Sequence, residues 1–227
     1  MELNAKLTIL EQLVAIYDGF IQEFDLACKK YCAHCCTANV TMTTLEGYRV
    51  ISHLEKTGEI QCLKTIAQKS HPARFIPQVS INRMADICAR DGDLPEEQLN
   101  REAGPCPMLA DDACSLYEVR PFGCRCMVSA RNCAETGFAD MDSFILTVND
   151  VFLQHIEHID AQGYTGNFTD VMAFFNSEEN RKNYVAGHLG PAPEGLVANQ
   201  PVFVLMIPPE HRDRIQPLLT KIRGIQV

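Results

Sequence analysis

The chain has 227 residues, 46% of them apolar, and a formal charge of −9 from 29 acidic and 20 basic side chains. That length supports one substantial hydrophobic core. The acidity, with no run of Lys or Arg, argues against nucleic acid or an anionic membrane surface as partner. No window of about 18 apolar residues occurs, so no membrane span is expected. The opening MELNAKLTILEQLVAIYDGF lacks the basic start, unbroken apolar stretch and cleavage site of a secretory signal, so a cytoplasmic location is expected. Disulfides are disfavoured there, and eleven cysteines are an odd number, so clustered cysteines read as ligands or catalytic thiols.

In chain order, Leu3, Leu7, Leu10, Val14, Tyr17, Ile21 and Phe24 recur at three- and four-residue steps. They predict one amphipathic helix over 3–31, with Cys28 and Cys32 one turn apart at its end. NVTMT reads as extended. Thr43 and Glu46 make a capping box for a helix through LEGYRVISHLEK, which Gly58 ends. Further helices are expected at about 60–70 and 81–90. The stretch 91–135 is rich in Pro, Gly and Cys and reads as ordered loop, with a short helix around SLYEV closed by Arg120-Pro121; a loop this long usually has a metal or a function to organise it. Helical spacing returns over 141–162. DAQGYTGNF, 160–168, reads as turn material and not as a phosphate loop. VFVLMI is a candidate strand, and Pro208-Pro209 opens a helix to about 222.

Eight cysteines fall into two clusters: Cys28, Cys32, Cys35 and Cys36 in CKKYCAHCC, and Cys106, Cys114, Cys124 and Cys126 in GPCPMLADDACSLYEVRPFGCRCM. Thiolate is the soft ligand that selects zinc or an iron–sulfur cluster, and each typically takes four. Cys32-Ala-His-Cys35 lets two sulfurs converge on one ion without backbone strain. Eight candidates mean either two sites or four bystanders. Arg120 and Arg125 flank Cys124, and their guanidinium groups would offset excess thiolate charge by donating to the sulfurs. A brace with Glu118, Asp111 or Asp112 is the alternative.

The run Cys32-Ala-His-Cys35-Cys36, then Pro105-Cys106-Pro107-Met108-Leu109, Cys114-Ser-Leu-Tyr117 and Arg120-Pro121-Phe-Gly-Cys124-Arg125, resembles the YkgJ-type CxxCxxCC cysteine-cluster proteins. These are described as zinc- or iron-chelating domains. Thr43-Thr44-Leu45-Glu46 is similar to that family's T-x-x-E helix start. The resemblance covers roughly residues 28–130. It departs at the opening, where the spacing is C-x3-C and Lys29 stands in the place of the family's first cysteine, so Cys28 is the weakest match. The resemblance implies metal chelation and no settled reaction. Flagellin lysine N-methylase carries the same module and is an enzyme, but no glycine-rich loop after a strand marks a methyl-donor domain here.

Other residues have plainer readings. Cys62 and Cys88 lie in apolar helical settings and read as core; Cys133 reads as core or a free thiol, with a spare ligand as the alternative. His155 and His158, one turn apart, read as a solvated face for want of a third ligand. His34 either ligates or hydrogen-bonds a thiolate, and Tyr117 reads as packing beside the site.

The expected fold is mainly α, a helical single domain with a long cysteine-rich loop and at most minor strand content. Residues 1–135 form the cysteine-cluster part, and 136–227 a helical extension packed on it and not independent. The leading function is a metal-binding protein holding an iron–sulfur cluster, [4Fe–4S] first, or zinc, through Cys28, Cys32, Cys35, Cys36, Cys106, Cys114, Cys124 and Cys126. Arg120 and Arg125 attend the cofactor. The alternatives are a metal-dependent redox or group-transfer enzyme, which would act on protein or on a small molecule, and a structural-zinc interaction module.

Overall fold

The computed structural model describes residues 1–97 and 103–226; residues 98–102 of the expected loop lie outside the described residues. Helices dominate, and the strands are short. Helix α1, Leu3–Ile21, buries Leu10, Leu13, Val14, Tyr17 and Phe20. It stops ten residues short of the expected end. Phe24 folds back edge-on to Phe20, with centroids 5.0 Å apart, Leu26 packs on the same core, and the Ala27 N–H donates to the Ser129 carbonyl. Phe24 and Leu26 pack on the core in place of about three more helical turns, so Cys28 and Cys32 sit on irregular chain.

Strand β1, Thr41–Thr43, runs directly into α2, Thr44–Thr57. The capping box forms: Glu46 N–H donates to Thr43 Oγ1, and Thr43 N–H donates to Glu46 Oε2. Gly58 closes the helix at φ 74°, a left-handed conformation that favours glycine. Helices α3, Cys62–Gln68, and α4, Ile81–Ala89, follow where the periodicity predicts them. Cys62 and Cys88 are exposed, which corrects their reading as core: each lies on the outer face of an amphipathic helix whose buried face is Leu63 and Ile66, or Ala85.

The cysteine-bearing loop has its own small structure. Strands β2, Leu109–Ala110, and β3, Ala113–Cys114, form a hairpin whose two turn residues, Asp111 and Asp112, both have positive φ, 50° and 59°. A 3-10 turn covers Tyr117–Val119, then come α5, Phe122–Arg125, and α6, Cys133–Thr136.

Helix α7, Ser143–Ile159, is followed by strand β4, Tyr164–Asn167, where only a turn was expected. β4 is the centre of a three-stranded antiparallel sheet in the order β1, β4, β5, with β5 at Leu196–Ala198. Helices α8, Phe168–Asn176, and α9, Glu178–Ala186, precede β5, and α10, Arg212–Arg223, ends the chain. The segment 202–207 is not a strand, despite its apolar run. Side chains of α7 take over its backbone groups: Gln154 donates to the Val204 carbonyl and accepts from Met206 N–H, and His158 accepts from Val202 N–H.

Two apolar clusters hold the elements. One joins α1, α5, α7 and α10 around Tyr17, Phe122 and Phe152, the second and third of which stack at 5.8 Å. The other joins α2, α3, α8 and the sheet around Leu54, Tyr164, Met172 and Phe175. Strand β4 lies between a strand from the first half and one from the second, so both halves of the chain share one sheet.

Candidate metal centre

Three loops meet at one cleft. The 22–36 segment leaves α1 and turns at Tyr31, whose φ of 75° is left-handed; Cys32 N–H donates back to the Lys29 carbonyl. Past it, the backbone pairs with the second cysteine loop. Thr37 bridges Pro105, Ala38 N–H donates to the Gly104 carbonyl, and Cys106 N–H donates to the Cys36 carbonyl at 2.9 Å. The β2–β3 hairpin then sets Cys114 opposite Leu109, whose N–H donates to the Cys106 carbonyl. Helix α5 presents Cys124 and Arg125. It is fixed from below by Phe122, which meets Tyr17 edge-on at 4.7 Å, and by Gly123, which lies against the β1 backbone.

The result is a cleft of about 1150 Å³, mouth included, lined by Cys28, Cys32, Cys35, Cys36, Cys106, Cys114 and Cys124. Seven of the eight expected cysteines, from loops about seventy residues apart, share this wall. Cys126 does not: it is buried in the apolar core, and its thiol donates to the Gly123 carbonyl. With one residue between them on a helical turn, Cys124 and Cys126 point in different directions. Cys133 is also buried, with its Sγ 4.0 Å from the Arg131 carbonyl oxygen. His34 is exposed, and neither it nor His155 lines the cleft; His155 Nδ1 is 2.7 Å from the Val151 carbonyl oxygen. Among the described residues, no three His, Cys, Asp or Glu side chains converge closely enough to grip a single ion; the thiols are spread around the cleft.

Both arginines face this cleft. Arg125 is braced through Nη1 to both carboxylate oxygens of Asp18 at 2.9 Å, a partner 107 residues away that the sequence did not suggest. Arg120 stacks on the Tyr117 ring at 3.9 Å. Among the described residues, neither pairs with Asp111, Asp112 or Glu118. Among the described residues, Arg120 Nε and Arg125 Nε are the buried side-chain polar atoms without a hydrogen-bond partner. An unsatisfied buried donor costs about 1–3 kcal/mol, more when charged. Two such donors at one thiol-lined cleft match what an electron-rich sulfur centre would accept. The donor set and the orphaned N–H groups fit a thiolate-bound metal or cluster.

Burial pushes the Cys106 and Cys124 thiols up, and Cys28 less deeply buried likewise. Cys35 donates a hydrogen bond to Cys36, which raises the Cys35 thiol and lowers that of Cys36. The protonated form is therefore favoured at Cys28, Cys35, Cys106 and Cys124, and the thiolate at Cys36. Glu46, Asp18, Lys29 and Tyr31 also shape or line the site. The capping box marked Glu46, but nothing local linked it to the cleft.

No family model, no curated protein and no solved structure matches this chain.

Proposed function

We propose that the protein is a metal-binding protein that holds an iron–sulfur cluster, or else zinc, in this cleft through cysteines from both loops. The single observation that carries the reading is the pair of orphaned guanidinium Nε atoms at a wall bearing seven free thiols. The CxxCC and PCPxL…CxxYxxRPxxCR resemblance points the same way. Cys106, Cys114, Cys124 and Cys36 supply thiolates, and Arg120 and Arg125 donate to the sulfurs and offset their charge. When bound, a cluster would supply one-electron chemistry, and zinc a Lewis acid. Seven thiols exceed the four that one zinc ion or one cluster takes, which favours more than one centre.

A second reading is a metal-dependent enzyme. The cleft's volume and its exposed rim, Tyr31 and Met127, leave room for a small molecule or a peptide side chain beside the thiols. Anaerobic purification with iron, acid-labile sulfide and zinc analysis decides between the centres. A brown protein with matched iron and sulfide is the expected result. A colourless protein with zinc selects the other metal, and one that takes up neither under reconstitution ends the proposal.

A further inference from the structure

A second cavity, of about 710 Å³ with its mouth, shares no lining residue with the thiol-lined cleft. It sits where β1 and the start of α2 meet α4 and α7. Its volume falls in the range of small-molecule sites. Much of its wall is apolar: Phe75, Met84 of α4, and Leu153 and Ile156 of α7. Its charged groups are of one sign. Glu46, Glu97 and Glu157 line it, and among the described residues no Lys, Arg or His does.

Glu46 and Glu157 are buried, and Glu97 is exposed. Glu46 accepts hydrogen bonds from the Thr43 N–H, the Thr43 hydroxyl and the Phe122 N–H. Glu157 accepts from the Asn82 and Gln200 N–H groups and from the Ser80 hydroxyl. Burial pushes both carboxyls up, and these donors hold them toward the ionised form. A carboxylate offers about four acceptor positions, so each keeps one for a ligand. Neither has an ion-pair partner among the described residues; Arg49, whose charge reaches Glu46, is paired with Glu11. Buried negative charge without a cation is costly, and a cation inside the cavity would offset it at both positions. An anionic ligand would meet carboxylates and no counter-charge. A metal ion would find no three carboxyl, thiol or imidazole groups close enough to hold it among the described residues. An organic ammonium suits both features: its N–H groups donate to carboxylate oxygens, and its carbon body covers the apolar wall.

We propose that this cavity binds a small organic amine as its ammonium ion, with the N–H groups on Glu46 and Glu157, exposed Glu97 at the rim, and the apolar body against Phe75, Met84, Leu153 and Ile156. The ammonium keeps its proton, and no covalent bond forms or breaks. The site stands independently of the metal reading, although Glu46 also anchors α5 through the Phe122 N–H.

The test is isothermal titration calorimetry of the full chain with phenethylamine hydrochloride, and with hydrocinnamate as an anion of similar shape. The expected result is saturable one-to-one binding of the amine and none of the anion. Met84→Trp fills the cavity from a half-buried position and should abolish amine binding. Glu97→Gln removes charge at an exposed position and should weaken binding by about 2- to 5-fold. Circular dichroism shows whether each variant keeps its helices. A wild type that does not bind the amine overturns the proposal, as does anion binding as tight as the amine's. So does wild-type affinity in a folded Met84→Trp protein. If Met84→Trp loses its helical signal, Glu97→Gln decides, and an unchanged affinity there overturns the proposal.

Discussion

Phe122 N–H donates to Glu46 Oε1 at 2.6 Å, while Thr43 N–H donates to Oε2 of the same carboxylate at 2.8 Å. Glu46 is 4% exposed, so one buried side chain caps α2 and also anchors the first turn of α5, two residues before Cys124. The capping box is thus a lever on the cysteine-lined cleft as well as a helix start.

Glu46→Ala strands both N–H groups in the interior and should cost about 3 kcal/mol of unfolding free energy. Metal retention should fall with it, because α5 loses its anchor. Glu46→Gln keeps one acceptor and should recover part of both. The checks are denaturant midpoints and metal content after gel filtration; a Glu46→Ala protein with wild-type values in both would show the carboxylate to be dispensable.

Arg120 and Arg125 test the electrostatics of the cleft. Removing a guanidinium takes a positive charge and a donor from beside the thiolates. Arg125→Ala and Arg120→Ala should each weaken metal retention by about 10- to 100-fold, the usual effect of losing a group that supports a ligand. In a redox cluster each should also lower the reduction potential, since positive charge stabilises an added electron. Arg125→Lys should keep part of the charge effect and lose the planar guanidinium hydrogen bonds. Chelator-competition off-rates or potentiometry supply the numbers. Wild-type behaviour in both alanine variants would reduce the arginines to braces.

The helical fold was legible wherever apolar periodicity and caps agreed, as at Thr43, Glu46 and Gly58. It was not legible at 22–31, where Phe24 and Leu26 keep a helical spacing yet turn back onto the core. Nor was it legible at 202–207, whose apolar run finds side chains of α7 in place of a neighbouring strand. The cysteines that line the cleft were legible as a residue list because cysteine spacing is local information. That Cys36 pairs with Cys106, that Asp18 holds Arg125, and that Cys126 turns into the core are long-range or rotational facts, which no spacing encodes.

Asp150, half-buried on α7, gives a pH signature outside the site. Burial raises its carboxyl from the ordinary 3.8 to about 6, and among the described residues no donor is seen to compensate. With the folded value above the unfolded one, the stability this group contributes is fully present below 3.8 and is lost as pH rises through about 6. Solvent screening at a partly exposed position leaves an effect of about 1 kcal/mol. Asp150→Asn should therefore raise Tm by about 2–4 °C at pH 7.5 and leave it unchanged near pH 3.5. A gain of the same size at both pH values would mean that the charge is not its source.

Gly123 is where the sheet and the site touch. A Cβ there would stand 2.8 Å from the Thr41 carbonyl oxygen, a backbone atom of β1 that cannot swing aside. Gly123→Ala should push α5 off the strand and cost about 1–3 kcal/mol. It should also lower metal content, because the displaced turn carries Cys124 and Arg125. Gly19, inside α1, is the control: nothing lies within 4 Å of its added Cβ, and Gly19→Ala should stabilise the helix by about 0.5–1 kcal/mol. Paired unfolding curves and metal assays separate the two substitutions. If Gly123→Ala matched wild type in stability and in bound metal, the close approach of α5 to β1 would not be what places Cys124 at the cleft.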